Sequence, residues 1–246
     1  MEYTVNINGI DVYAVYSEEN INEIFIPLLR RLKHLYEEKH RRVLAFLAAP
    51  PGAGKSTLLS FLQYLSVNTD GLMPITTVGM DGFHHYQEYL LTHKIMRNGV
   101  EYSMVEEKGA PETFDLELLT DRIRKVASGE ECGWPEYNRM THNPREDAIA
   151  VAGDIVMLEG NYLLLDRPGW KNLKEYADLT ISVTADSDML RGRLIDRKIN
   201  SGNTPEAAAR FVDFSDMANV QTCLEESVDA DINLELCRDG SYKGKS

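Results

Sequence analysis

Residues 49–57 read Ala-Pro-Pro-Gly-Ala-Gly-Lys-Ser-Thr and directly follow the apolar run Val-Leu-Ala-Phe-Leu at residues 43–47. The apolar run predicts a buried strand, and the pattern Leu-Leu-Ser-Phe-Leu at residues 58–62 predicts a helix. Glycines between a strand and a helix allow backbone N–H groups to curl around phosphate oxygens. The helix adds the positive end of its dipole. The order strand, glycine-rich loop, helix therefore predicts a phosphate-binding site.

The loop also carries the side chains that a magnesium-bound nucleoside triphosphate requires. Lys55 can bridge the β- and γ-phosphates, and the Ser56 hydroxyl can ligate Mg²⁺. The predicted nucleotide-binding residues are Pro51, Gly52, Ala53, Gly54, Lys55, Ser56 and Thr57. Ala49 departs from the pattern G-x-x-x-x-G-K-[ST], because it stands at the position of the first glycine. The part of the loop that contacts phosphates is intact, so we expect ATP and Mg²⁺ as cofactors.

Composition limits the classes of partner. The chain has 246 residues, of which 43% are hydrophobic, and this suits one sizeable buried core. A net charge of −13, without a run of Lys and Arg, argues against nucleic acid and anionic membranes as partners. The sequence shows neither a signal-peptide pattern nor an apolar stretch of membrane-spanning length, and its three cysteines lack metal-binding spacing. We therefore expect a cytoplasmic protein that acts on a small molecule.

Beyond the loop, short apolar runs alternate with helical patterns. We expect strands at residues 74–80, 155–158, 179–183 and 231–236, and helices at residues 115–128, 186–199 and 205–226. This alternation predicts an α/β fold of the P-loop NTPase class, with a parallel sheet and helices on both faces, over residues 43–246. Residues 84–110 and 129–150 fit the alternation less well. We expect them to lie above the carboxyl ends of the strands, where open α/β sheets bind ligands.

Residues 1–42 precede the first core strand and are predicted to form a hairpin-helix extension. Residues 3–16 alternate in strand fashion around Asn8-Gly9, which is a strong hairpin signal. Ser17 is the predicted N-cap of a helix in which Pro27 marks a kink or a restart. We expect the extension to cover the core; a surface for a homodimer is the open alternative.

Two strands of the predicted sheet end in carboxylates. Asp81 follows the strand 74–80, beside the γ-phosphate, where it can accept the proton of an attacking hydroxyl. Its alternatives are a Mg²⁺ ligand or a turn-forming Asp before glycine. Glu159 ends the strand 155–158, the usual place for a second metal-positioning group, with an ordinary strand-end acid as the alternative. The predicted metal ligands are therefore Ser56 and Glu159.

Five short segments follow one another along the chain. They are Pro-Gly-Ala-Gly-Lys-Ser-Thr (51–57), Asp-Gly-Phe-His (81–84), Lys-Gly-Ala-Pro-Glu-Thr-Phe-Asp (108–115), Pro-Glu-Tyr-Asn-Arg (135–139) and Leu-Glu-Gly-Asn-Tyr-Leu-Leu (158–164). In this order they resemble the phosphoribulokinase, uridine kinase and pantothenate kinase family of small-metabolite kinases. The resemblance covers residues 43 to about 225. Asn138 departs from it, because the family commonly has Asp at this position.

The resemblance implies roles for individual residues in binding the acceptor. It makes Asp81 the catalytic base and Asp115 a ligand of sugar hydroxyls, although Asp115 could equally be an acid at a helix N-terminus. The segment 137–142 resembles the base-facing segment of uridine kinases. The predicted acceptor-binding residues are Asp81, His84, Asp115, Tyr137 and His142.

The segment 189–203 resembles the lid that closes over the triphosphate in this family. Arg193 and Arg197 are four residues apart and share a helix face. Guanidinium groups suit phosphoryl oxygens and the charge that develops during transfer, so both are predicted catalytic residues beside Lys55 and Asp81. The alternative is a solvated face that pairs with neighbouring acids.

The resemblance implies an ATP-dependent kinase that transfers the γ-phosphoryl group to a hydroxyl of a small polar metabolite, preferably a nucleoside or a sugar. Two alternatives stay open. The acceptor could be another alcohol, such as pantothenate, or the chain could be a P-loop ATPase switch that has no small-molecule acceptor.

Overall fold

The N-terminal residues form a hairpin and a helix. The computed structural model describes residues 1–7, 9–97 and 99–245. Strand β1 (Glu2–Ile7) pairs antiparallel with β2 (Ile10–Val15), which confirms the predicted hairpin; Asn8 of the predicted Asn8-Gly9 turn lies outside the described residues. Ser17 caps the short helix α1 (Glu18–Asn20) by accepting the backbone N–H of Asn20 at 3.1 Å.

The predicted restart at Pro27 is also confirmed. A π-helical turn at Ile21–Phe25 precedes helix α2 (Ile26–Lys39), and Pro27 lies in the first turn of α2. Proline is tolerated there because the first N–H groups of a helix have no partner within the helix.

The rest of the chain alternates between strands and helices. In chain order the elements are β3 (Val43–Ala48), α3 (Lys55–Asn68), β4 (Thr76–Gly79), α4 (Gln87–Thr92), β5 (Lys94–Arg97), β6 (Val100–Ser103), α5 (Leu116–Ala127), β7 (Cys132–Asn138), β8 (Asn143–Val151), β9 (Ile155–Gly160), β10 (Leu179–Ala185), α6 (Ser187–Asn200), α7 (Pro205–Phe211), α8 (Met217–Glu225), β11 (Ile232–Leu236) and β12 (Tyr242–Gly244). Within the described residues, every helix is too short or too polar to cross a lipid bilayer.

The central sheet has the strand order β12-β11-β10-β3-β9-β4. Its strands run parallel except β12, which pairs antiparallel with β11 at one edge. The predicted α/β class with a mostly parallel sheet is confirmed; the antiparallel edge strand is an addition. Because parallel strands end at one edge of the sheet, β3, β9 and β4 bring the phosphate loop, Glu159 and the chain after Gly79 together.

Both faces of the sheet are buried, and this explains the unbroken apolar run of β3. Its side chains alternate between the faces: Val43, Ala45 and Leu47 pack into one core with α2, α3 and α6, whereas Leu44 and Phe46 pack into the other with α5. Helices thus cover the sheet on both sides, as predicted for a parallel sheet.

Two predicted elements differ from the structure. The strand expected at residues 74–80 is β4 alone, and Met80–Phe83 forms a 3₁₀ turn that carries Asp81. The last residue pair between β4 and β9 is Gly79 with Glu159, and the chain leaves the sheet after Gly79. The helix expected at residues 205–226 is helical over residues 205–225, but a π-helical turn, Val212–Asp216, interrupts its α-helical hydrogen bonding between α7 and α8.

An aromatic cluster joins the N-terminal extension to α3 and to the last strand. The rings of Tyr16 and Phe61 stack with centroids 4.1 Å apart, and Phe25 meets Tyr242 edge-to-face at 5.4 Å. Buried Asn20 donates its side-chain N–H to the Tyr242 carbonyl and accepts the Tyr242 N–H, both at 2.8 Å. The extension therefore shares a core with the central sheet and its helices.

We expect Asn20→Ala to lower the free energy of unfolding by about 1–3 kcal/mol, because it leaves the buried backbone N–H and C=O of Tyr242 without partners. Equilibrium urea denaturation measures this change. Asn68→Ala is the matched control, since exposed Asn68 makes one hydrogen bond to a helix carbonyl. Equal, small effects of the two substitutions would contradict the anchoring role of Asn20.

Candidate active site

The phosphate loop owes its shape to two glycines. Gly52 has a φ of +83° and Gly54 a φ of +78°, in the left-handed region that favours glycine. Open space surrounds the position where a Cβ of Gly54 would stand, and Gly54 caps α3. Ala49 is buried without a left-handed φ, and its N–H donates to the Gly160 carbonyl at 3.2 Å. An alanine therefore fits where the pattern has its first glycine.

Ser56 and Glu159, the predicted metal ligands, lie in contact. The Ser56 hydroxyl donates to Oε1 of Glu159 at 2.6 Å. The buried Oε2 of Glu159 lies 4.0 Å from Nζ of Lys55 and accepts no hydrogen bond from the described residues. Hydroxyl and carboxylate oxygens suit Mg²⁺, which usually shares its coordination with substrate phosphates. The described residues hold no cluster of three or more His, Cys, Asp or Glu side chains that could bind a metal.

The environments of Asp81 and Glu159 move their pKa values in opposite directions. Burial alone would raise the pKa of Asp81, but nearby positive charges, above all that of Lys55, hold it below its ordinary value. Burial raises the pKa of Glu159 above its ordinary value; Lys55 opposes this rise and the Asp81 carboxylate adds to it. Asp81 is therefore the more readily ionised carboxylate, as a base that accepts a proton requires.

A cavity of about 440 Å³ opens in front of the phosphate loop and Asp81. Of the predicted site residues, it brings together Pro51, Lys55, Asp81, His84, Tyr137, His142 and Arg197. These side chains come from the phosphate loop, the 3₁₀ turn, the β7–β8 hairpin and α6. Residues 84–110 and 129–150 therefore reach the ligand edge of the sheet, as expected.

The ring of His84 has a fixed orientation in this cavity. Nδ1 lies 2.9 Å from the Asp81 carbonyl oxygen, and since a carbonyl only accepts, Nδ1 carries the proton and donates. Burial lowers the pKa of His84, which favours the neutral ring and leaves Nε2 as an acceptor. The His84 ring also packs against Phe114 with centroids 3.9 Å apart. A neutral His84 can thus accept a hydrogen bond from a ligand hydroxyl.

Two of the predicted catalytic and acceptor-binding residues do not line this cavity. Asp115 caps α5 by accepting the N–H of Leu118 at 2.9 Å, and it lines a separate cleft of about 50 Å³. Arg193 lies near β12: burial raises the pKa of Tyr242 to about 12, and the charge of Arg193 opposes that rise. The proposed roles of Asp115 in acceptor binding and of Arg193 in catalysis stay predictions.

Ten of the residues that line the cavity were absent from the sequence-based site, among them Lys108, Arg139, Asn161, Lys198, Asp216 and Asn219. Lys108 Nζ donates to Oε1 of Gln87 at 3.1 Å and lies 4.9 Å from the centre of the Tyr137 ring. Lys108, Arg139 and Asn161 lie within the segments that carry the family resemblance, so the sequence could have identified them as site residues. Asp216 and Asn219 stand in a stretch that reads as plain helix, so the sequence offered no signal for them.

A second opening, of about 250 Å³, reaches the same carboxylates from the side of the N-terminal hairpin. Val5, Asn6 and Ile7 of β1 line it opposite Pro135 and Tyr137, and it extends inward to Asp81 and Glu159. The extension therefore forms part of the wall around the site. A further cavity of about 480 Å³ beside Ala49 contains none of the predicted acceptor or catalytic residues.

We expect Gly52→Ala to destabilise the protein and to raise KM for ATP. A Cβ there would stand 3.1 Å from Cγ of Leu194 and 3.2 Å from the Leu190 carbonyl oxygen, so the loop and α6 would have to separate. Gly71→Ala is the control, because Gly71 has a similar φ of +81° with no atom within 4 Å of its added Cβ. In both variants an alanine must adopt the left-handed backbone conformation, which costs about 1–2 kcal/mol. Equal unfolding free energies and equal KM values would contradict the contact with α6.

The chain is similar to known proteins over most of its length. The chain is 40% identical over 243 residues to the uncharacterized protein YggC of Escherichia coli, covering 98% of each chain. It is 30% identical to the Schizosaccharomyces pombe protein C227.14, proposed to be a uridine kinase, over 92% of this chain and 94% of that one. A solved structure from Silicibacter sp. TM1040, proposed to be a fructose transport system kinase, superposes with a TM-score of 0.75 at 29% identity, over 85% of this chain and 98% of the other.

The family comparison covers most of the chain, including every cavity residue named above. The family described as "Phosphoribulokinase / Uridine kinase family" matches residues 44–245. Its members share the P-loop kinase fold that the sheet order and the loop geometry show here. The chain belongs to the phosphoribulokinase/uridine kinase family of P-loop kinases.

Proposed function

We propose that the protein is an ATP-dependent kinase that transfers the γ-phosphoryl group to a hydroxyl of a small metabolite, a nucleoside or a sugar. The observation that carries the proposal is the common cavity of Lys55, Asp81 and Arg197 in front of the phosphate loop. A phosphate-binding cation, a carboxylate of lowered pKa and a lid guanidinium thereby face one space, which is what phosphoryl transfer to a hydroxyl requires.

Each group has a task in this reaction. The loop N–H groups and Lys55 bind the β- and γ-phosphates. Ser56 and Glu159 would hold Mg²⁺, which when bound neutralises charge on the phosphate oxygens. Asp81 orients the acceptor hydroxyl and takes its proton as the oxygen attacks the γ-phosphorus. Arg197 stabilises the charge on the transferred group, and closure of α6 excludes water.

The cavity supports an acceptor rather than an ATPase switch. Its volume of about 440 Å³ lies in the range of small-molecule sites, which is roughly 300–1,000 Å³. Tyr137, His142 and Lys108 line it from segments outside the phosphate loop, and a switch that only hydrolyses ATP has no use for them. The similarity to proteins proposed as uridine and fructose transport kinases also supports a hydroxyl acceptor.

An ATP-consumption assay with an acceptor panel tests the proposal. The panel contains uridine, D-ribose, D-fructose and pantothenate, each with Mg²⁺ and ATP, against a reaction without acceptor. We expect uridine or a sugar to raise ADP formation and to yield a phosphorylated product by mass spectrometry. Stimulation by pantothenate alone would move the function to the pantothenate-like alternative. ADP formation that no acceptor changes would support the ATPase switch.

A further inference from the structure

A polar, buried wall lies across the cavity from the β7–β8 hairpin. The π-helical turn Val212–Asp216 closes with the Met217 N–H bonded to the Val212 carbonyl, five residues back. Such turns insert one extra residue into a helix and are frequent at functional sites. Here the insertion ends at Asp216, which lines the cavity and is 9% exposed. One turn later, Asn219 is 3% exposed and also lines the cavity.

The Asp216 carboxylate is short of partners in this wall. Its Oδ2 is buried and accepts no hydrogen bond from the residues that the structure describes. Lys198 and Arg197 act on it at a distance, but within the described residues no cation lies within ion-pair range of 4.0 Å. A buried carboxylate oxygen without a hydrogen bond is costly, so its missing donors come from outside the chain, from a ligand or from ordered water.

Neighbouring groups point to hydroxyls as those donors. Asn161 also lines the cavity, and its buried Oδ1 likewise lacks a partner among the described residues. Asn219 packs against Gly109. A Cβ at position 109 would lie 3.0 Å from Nδ2 of Asn219, so the glycine leaves space for the amide. Carboxylate and amide oxygens accept hydrogen bonds from hydroxyls, and the Asn219 amide also donates. Two oxygens on one carboxylate match two adjacent hydroxyls.

We propose that Asp216, assisted by Asn219, binds vicinal hydroxyls of the acceptor and thereby selects polyhydroxylated acceptors. This inference rests on the proposed kinase function and gives to Asp216 the task that the family resemblance gave to Asp115. Asp115 uses its carboxylate to cap α5, whereas Asp216 shares the cavity with Asp81.

Kinetics of Asp216→Asn test the inference, with the best polyhydroxylated acceptor of the panel and its deoxy counterpart. We expect KM for the hydroxylated acceptor to rise at least tenfold, about 1.4 kcal/mol, with KM for ATP within twofold and no loss of melting temperature. The deoxy acceptor should be poor with the native protein and lose little further. Asp213→Asn is the matched control, because Asp213 lies in the same turn but is exposed and paired with Arg191. It should leave both KM values unchanged.

Three outcomes would overturn the inference. The first is a parallel rise of both KM values with a lower melting temperature, which marks a structural role. The second is an acceptor effect of Asp115→Ala without one for Asp216→Asn. The third is phosphorylation of pantothenate, which lacks vicinal hydroxyls, but of no nucleoside or sugar; the kinase function would then stand. If no acceptor raises ADP formation, the kinase function and the inference fall together.

Discussion

Asp81→Asn is expected to lower kcat by roughly 10²-fold or more while ATP affinity stays within about twofold, the usual consequence of losing a general base. Asparagine keeps the shape of the side chain but cannot take the proton of the acceptor hydroxyl. Steady-state kinetics with saturating acceptor give kcat, and calorimetry with a non-hydrolysable ATP analogue gives the affinity. The matched control is Asp121→Asn, which removes an exposed carboxylate from α5 and should leave both quantities unchanged.

The opposite pattern would reassign Asp81. If ATP and Mg²⁺ affinity collapsed while kcat held, Asp81 would be a metal ligand. The pH dependence gives an independent check. Because the pKa of Asp81 lies below its ordinary value, the base stays ionised at mildly acid pH. We expect kcat/KM to fall only as the pH drops through that lowered pKa, below the usual range for Asp.

Lys55→Ala is expected to lower kcat about 10²–10³-fold, the range for removal of one preorganised group that stabilises transition-state charge. It should also raise KM for ATP, because the cation between the β- and γ-phosphates is gone. The melting temperature should change little, since Lys55 lies at the opening of α3 beside the cavity. Lys94→Ala is the control: it removes an exposed lysine paired with Glu101 on the distant β5–β6 hairpin.

We also expect Lys55→Ala to change the pH dependence of the rate. Lys55 lowers the pKa of both Asp81 and Glu159, so its removal should move the acid limb of the pH–rate profile to higher pH. A well-folded Lys55→Ala protein with native turnover would disprove the nucleotide site. A lower kcat with an unshifted acid limb would show that Lys55 acts on the phosphates without acting on the base.

Much of the fold could be predicted because the local sequence patterns agree with the way in which the elements pack together. The run Val43–Leu47 is apolar on both faces, and β3 is indeed buried on both. Ser17 and Pro27 act within one helical turn, so their positions can be read from neighbouring residues. The π-helical turn at Val212–Asp216 could not be predicted, because one inserted residue hardly alters an apolar pattern of helical period. The edge strand β12 is three residues long and pairs with β11 through backbone groups that carry no sequence signal.

Site residues could be predicted where the end of a strand determines their position. Asp81 follows β4 and Glu159 lies near the end of β9, and parallel pairing brings these strand ends together. Asp115 shows the limit of this reasoning: its type and spacing suit both a sugar ligand and a helix cap, and the structure places it as a cap. Asp216 reaches the cavity only through the packing of α6, α7 and α8, which no local pattern encodes.

The bonds between Asn20 and Tyr242 bear on the order in which the chain folds. The two residues are 222 positions apart, among the most distant partners that a chain of this length allows. The hairpin and α2 are synthesised before β12, so their aromatic cluster lacks the Tyr242 ring until that residue has been made. Contacts of such separation close late, since the entropy of a long loop must be overcome first. The N-terminal extension would thus lack its contacts with β12 until that strand is made, and docking of β12 would complete the aromatic cluster.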